Sequence, residues 1–222
     1  MTASKNDTAH TPPLGFMALT PFYDAAIALM TREKAWRRAL VGVIESAGPR
    51  TVIDVGSGTG SLAVLLLGAA PAVNYVGVDP DKDAVEIARS KAKRLAVGAR
   101  FVEGRFPDAL GDERADVIVS SLVLHQVPLQ EKRRIMEAAF ERLIPGGAFI
   151  IADYGEQRTL ISRLLFRATV QALDGRENTQ WNADGVLPRL MKEAGFLDIA
   201  ETARLTTATG TIAVLSGTKS VN

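Results

Sequence analysis

The chain has no cysteine. Disulfides, zinc–thiolate centres and thiol nucleophiles are excluded together, and so is any reaction that runs through a cysteine adduct. It has almost no net charge, because 26 Lys and Arg stand against 25 Asp and Glu. A chain whose business is gripping nucleic acid usually shows a basic face, so no nucleic-acid partner is expected. Long apolar runs are missing too. The longest, 62–70, falls far short of the ~20 residues of a membrane span, and the opening MTASKNDTAHTPP has no apolar stretch of the kind a secretory signal needs. A cytoplasmic protein with no membrane span is expected, with a flexible N-terminal tail over 1–13 and a single domain over 14–222. What is present is apolar substance: 47% of the 222 residues are hydrophobic and 23% charged, enough for a large core and against global disorder.

Short apolar runs alternate with helical patterns. Residues 22–43 read as a helix stopped by Gly48-Pro49. Strands are expected at 51–55, 75–78, 101–102, 117–119 and 148–152. Between them lie helices at 62–67, from the capping Asp81 to about 95, and at 132–143, the last ended by Pro145-Gly146-Gly147. Helices at 160–173 and 183–194 follow, then strands at 196–202 and 211–215 that are suited to a hairpin. The alternation predicts an α/β fold, a doubly wound and mostly parallel sheet, with its ligand at the carboxyl ends of the strands.

The strongest local signal is Val52-Ile53-Asp54-Val55-Gly56-Ser57-Gly58-Thr59-Gly60, a buried strand running into glycines spaced G-x-G-x-G. Such a turn asks for unusual dihedrals and lets backbone touch a ligand. The dinucleotide fingerprint would place a further glycine where Ser61 stands. Asp79 ends the next strand, 19 residues past Gly60, at the distance from which a carboxylate reaches both ribose hydroxyls. A nucleoside-type cofactor is expected.

These residues resemble the class I S-adenosylmethionine-dependent methyltransferases. Ala115-Asp116-Val117-Ile118-Val119-Ser120-Ser121 is similar to that family's fourth-strand motif, and Leu143-Ile144-Pro145-Gly146-Gly147 to its L-x-P-G-G turn. The resemblance spans roughly 51–153. It implies a seven-stranded Rossmann-like sheet whose last strand is antiparallel. By position, Gly56, Ser57, Gly58 and Gly60 would line the methionine part of S-adenosylmethionine, with Asp54 beneath them and Asp79, followed by Pro80, at the ribose. Arg105 stands where the family often has an acid near adenine, leaving adenine to the backbone, Phe106 or the Arg105 stem. Ser120 and Ser121 would complete the cofactor side.

His125 follows the fourth strand and would face the reacting end, as a proton acceptor or as a lining residue. Asp153 and Tyr154 end the fifth strand and would either touch the acceptor or, for Asp153, cap the next helix. A looser similarity links the chain's ends to the quinone-biosynthesis C-methyltransferases. It implies a helical lid over 14–46 with Tyr23 facing the active site. The departure at Leu124-His125-Gln126-Val127, where that family has Leu-Arg-Asn-Val, separates the acceptor from quinones of that family. The expected acceptor is a small apolar or hydroxylated aromatic molecule, methylated on oxygen or carbon, with no bound metal. A macromolecule or phospholipid methyltransferase and a non-catalytic cofactor-binding module are the alternatives. The apolar 160–173 stretch, with the rest of 160–195 near the acceptor, would cap the pocket or form a homodimer contact. The basic runs at Lys91, Lys93 and Arg94 and at 132–134 read as solvated helix faces.

Overall fold

A computed structural model describes residues 29–221. Tyr23, the 1–13 tail and residues 14–28 of the expected 14–46 lid lie outside the described residues. Helix α1 spans Glu33–Ser46, after Arg32 in left-handed backbone (φ 53°). Then follow β1 (Thr51–Val55), α2 (Ser61–Ala69), β2 (Asn74–Asp79), α3 (Lys82–Leu95), β3 (Ala99–Glu103) and β4 (Ala115–Ser121). The second half comprises α4 (Leu129–Arg142), β5 (Leu143–Tyr154), α5 (Leu160–Ala168), α6 (Val170–Asp174), α7 (Arg176–Ala183), α8 (Val186–Glu193), β6 (Leu197–Thr207) and β7 (Gly210–Thr218).

The seven strands form one sheet in the order β3-β2-β1-β4-β5-β7-β6. The five from β3 to β5 are parallel, and β7 runs antiparallel to both β5 and β6. The doubly wound sheet and the C-terminal hairpin expected from the sequence are both present. Strand alternation sorts the core into two layers. Val52, Tyr75, Val117, Val119 and Ile150 share one apolar cluster with Trp36 and Leu40 of α1, Leu62 and Leu66 of α2, Val85 and Ala88 of α3 and Phe166 of α5. Ile53, Val76, Val78, Ile118 and Phe149 share the other with Ile135 and Met136 of α4 and Leu187, Leu190 and Met191 of α8. Fully buried parallel strands read as continuous apolar runs, which is why the central ones were visible in sequence.

Several boundaries differ. The expected helix at 160–173 breaks at Thr169 into α5 and α6, and 183–194 straddles a break at Gly185, whose φ of 79° begins α8. Asp81 caps α3 as expected, accepting from the Asp83 and Ala84 amides at 2.9 and 3.2 Å. Thr159, not Asp153, caps α5. The run at 132–134 is not a solvated face throughout: Lys132 has no exposed surface. Among the described residues, no helix is long and apolar enough to cross a membrane.

Candidate functional site

The strand order reverses between β1 and β4, and ligands of open α/β sheets sit at the carboxyl ends beside such a point. There the glycine loop leaves β1. The Gly56 and Ser57 amides donate to the Val78 carbonyl at 2.8 and 3.1 Å, tying the loop to the end of β2. A Cβ on Gly56 would stand 2.3 Å from Val123 Cγ2, so the neighbouring loop, rather than a ligand, demands glycine there. Gly58 differs. Among the described residues nothing lies within 4 Å of the position of its missing Cβ, so these leave the backbone at Gly58 open. Its N–H donates to Asp79 Oδ2 at 2.7 Å, and Asp79 Oδ1 accepts from the Asp81 amide at 2.9 Å. The half-buried Asp79 carboxylate is thus fixed by backbone, and each oxygen keeps a further lone pair for an incoming hydroxyl. Pro80 beside it is exposed and Gly60 opens α2.

Asp54 has no exposed surface. Burial pushes its carboxyl up to about 6, while the Tyr75 hydroxyl, donating to Oδ2, and the Arg37 guanidinium pull it back and Asp79 adds a small push upward. Among the described residues, Asp54 Oδ1 and the buried Ser57 Oγ have no partner. Buried polar atoms are ordinarily satisfied. Two orphans at a loop of bare backbone fit a ligand that carries donors, and a cationic one best, since it would also hold Asp54 ionised. The residues present therefore fit the amino-acid half of a nucleoside–amino-acid cofactor. Of the two residues expected beside adenine, Arg105 is exposed, whereas Phe106 is 5% exposed and belongs to the core with Val55, Val76 and Val78. Ser120 Oγ donates to the Val55 carbonyl at 3.1 Å and is buried; Ser121 is half-buried.

His125 lies in the loop after β4, 3% exposed. Its Nδ1 is 2.7 Å from Asp153 Oδ1 and its Nε2 3.5 Å from Asp174 Oδ2 at the end of α6. Burial alone would lower the imidazole, but the charge and hydrogen bond of Asp153, with those of Asp174, reverse that and raise it to about 9. Asp153 is saturated: Oδ2 accepts from the Leu124 and His125 amides, and Oδ1 also accepts from the Tyr154 amide at 2.7 Å. The Tyr154 ring meets His125 edge-on at 5.0 Å, its hydroxyl shares a 2.8 Å hydrogen bond with Thr209 Oγ1, and burial pushes it to about 12.

Sequence reasoning missed Tyr75, Asp174 and Lys132. Lys132 Nζ donates to the carbonyls of Leu124, Val127 (2.6 Å) and Asn178 (3.1 Å), and Asn178 Nδ2 returns a bond to the Gln126 carbonyl at 2.9 Å. The loop after β4 is thereby knitted to α6 and α7 by polar contacts. One signal for Lys132 was available: it sits three and four residues before the buried Ile135 and Met136, on the apolar stripe of α4.

A family model described as a methyltransferase domain matches residues 49–195. A demethylmenaquinone methyltransferase of Thermus thermophilus is 27% identical over 183 residues, 78% of this chain and 81% of the relative. One of Deinococcus radiodurans is 35% identical over 104 residues, 44% of this chain and 43% of the relative. Among solved structures, the magnesium protoporphyrin IX methyltransferase of Synechocystis PCC 6803, with bound SAH, superposes with a TM-score of 0.68 at 20% identity over 87% of each chain. The apo methyltransferase SibL gives 0.72 at 20% identity, covering 90% of this chain but only 58% of that one. At such identities these structures share the fold.

Proposed function

The chain belongs to the methyltransferase domain family, and on that membership we propose that it transfers the methyl group of S-adenosylmethionine to a small acceptor. The acceptor class we propose is apolar or a hydroxylated aromatic, methylated on oxygen or carbon. The observation that carries the cofactor half of the reading is the pair of orphaned buried atoms, Asp54 Oδ1 and Ser57 Oγ, at a glycine loop left open at Gly58. In this reading Asp54 and Ser57 hold the amino-acid end, Gly58 gives backbone, Asp79 takes the ribose hydroxyls, and the Arg105 stem borders adenine with Pro80 and Ser121 at the edge.

Bound S-adenosylmethionine supplies a methyl group already made electrophilic by its sulfonium. What remains for the protein is to align an acceptor atom and to keep water away. The loop at 122–127 suits that work because its backbone is pinned twice, by Asp153 through the Leu124 and His125 amides and by Lys132 through the Leu124 and Val127 carbonyls. His125 serves as a clasp in this scheme. With both ring nitrogens engaged and its proton held to about 9, it does not take a proton from an acceptor at neutral pH. The chemistry then favours acceptors that ionise readily or attack through carbon, and Tyr154 backs the clasp rather than contacting the acceptor.

Three features support a small acceptor: the net charge of +1, the relatives named demethylmenaquinone methyltransferase, and the apolar character of α5. Ser162 and Phe166 of α5 face the core while Leu160, Ile161 and Leu164 stay exposed. Calorimetric titration of S-adenosylmethionine and S-adenosylhomocysteine into the wild type and Asp79→Ala tests the reading. Binding weakened at least about tenfold in the variant is expected, since hydrogen bonds to a charged group are lost. Absence of binding to the wild type overturns it. A screen of phenols and quinols for gain of a methyl group by mass spectrometry then identifies the acceptor.

A further inference from the structure

Asp54 on β1 stands opposite Gly77 on β2, and Val52 opposite Tyr75. Strand alternation puts Asp54, Val52 and Tyr75 on one face of the sheet, and Gly77 offers no side chain between Asp54 and Tyr75. A Cβ at Gly77 would stand 2.7 Å from Ser57 Oγ and 2.6 Å from the Phe101 ring, so this gap is kept open by glycine. Through it the Tyr75 hydroxyl reaches diagonally to Asp54 Oδ2. Tyr75 has no exposed surface, and Asp54 is its hydroxyl's partner. Tyr75 itself is placed to touch neither cofactor nor acceptor.

We propose that Tyr75 is a positioning residue, which holds Asp54 ionised and turned so that its unpartnered Oδ1 meets the α-ammonium group of the cofactor. The proposal rests on the cofactor reading above and adds to it the residue that sets the pH range of binding. Among the described residues the groups facing Asp54 are the Tyr75 hydroxyl, the Arg37 guanidinium from α1 and the Asp79 carboxylate at the end of β2. Complete burial favours the neutral acid, whereas a hydroxyl that donates to the carboxylate favours the anion. An ammonium group is bound by the anion. Affinity for an ammonium-bearing ligand therefore falls as pH drops through the Asp54 midpoint at about 6, and removing the hydroxyl carries that midpoint upward into the neutral range.

The test compares two ligands by calorimetry between pH 5 and 7.5. S-adenosylhomocysteine keeps its ammonium group across this range, and 5′-methylthioadenosine has none. In the wild type the first should weaken by up to about tenfold per unit below pH 6, while the second stays level. In Tyr75→Phe the fall should begin about one unit higher, with S-adenosylhomocysteine about threefold weaker at pH 6.5 and close to tenfold weaker at about pH 5, and 5′-methylthioadenosine unchanged. Should that variant not fold, wild-type protein made with 3-fluorotyrosine supplies the opposite perturbation. Its hydroxyl is a stronger donor in nearly the same volume, and the midpoint should move down. A midpoint that stays put in whichever of the two proteins is measured overturns the proposal while leaving the cofactor reading intact. Failure of the wild type to bind either ligand overturns both.

Discussion

The His125 clasp makes the stability of the fold depend on pH in a direction opposite to the usual acid lability. An imidazole held at about 9 in the folded protein, against 6.5 when free, binds its proton more tightly folded than unfolded. At about 1.4 kcal/mol per tenfold, that difference is worth about 3 kcal/mol. The contribution is complete below pH 6.5 and is lost as pH rises to about 9. Replacing His125 by Gln removes the titration while keeping an amide to meet Asp153. Urea unfolding of both proteins at half-unit steps from pH 6 to 9.5 is the assay. The wild type should lose about 3 kcal/mol relative to the variant across the window, or about 6–12 °C in a parallel melting experiment. Lys132, drawn down to about 8 by burial against the upward pull of Asp153, works the other way at higher pH, but both proteins carry it and the comparison cancels it. Asp174→Asn should remove a smaller share than the loss of Asp153 would, because Asp174 stands 3.5 Å away and is 29% exposed. Stability curves that run parallel for wild type and His125→Gln would refute the clasp and reopen His125 as a proton acceptor.

The parts of this molecule that were legible in sequence are those whose cause is local. A buried strand declares itself as Val52-Ile53 or Val117-Ile118-Val119, a capped helix as Asp81, and a tight turn of positive φ as alternate glycines. Asp79 was legible because a strand of fixed rise ends where the loop begins. The covering region was not. The helix breaks at Thr169 and Gly185 come with docking: Thr169 Oγ1 also reaches the Thr209 carbonyl at 3.4 Å, and the Gln157 amide is drawn to the Ala183 carbonyl. The clasp joins His125 to Asp174, and Lys132 joins its loop to Asn178, across stretches of sequence that carry no sign of the pairing. A lysine between Glu131 and Arg133 looks solvated by composition; only the three carbonyls that converge on its ammonium explain its burial. Phe106 likewise looked like a platform for an adenine ring, yet its apolar surface is worth more in the core, where it is 95% covered.

The same geometry separates residues that hold the fold from residues proposed to admit the ligand. Lys132→Met leaves the Leu124, Val127 and Asn178 carbonyls without their donor and should cost about 2–4 kcal/mol in urea unfolding. An unchanged midpoint would mean that water replaces the ammonium. The glycine loop gives the sharper contrast. Both Gly56 (φ 73°) and Gly58 (φ 51°) lie in left-handed backbone, so alanine at either costs about 1–2 kcal/mol in strain. At Gly56 the added methyl also collides with Val123, so Gly56→Ala should destabilise further, and Val123→Ala in the same chain should restore part of the loss. At Gly58 the methyl meets no atom of the described residues and enters the space we assign to the cofactor. Gly58→Ala should therefore melt within a few degrees of the wild type but bind S-adenosylhomocysteine at least about tenfold more weakly. Wild-type affinity in Gly58→Ala would place the cofactor elsewhere, because no ligand lying against that backbone leaves room for a methyl group.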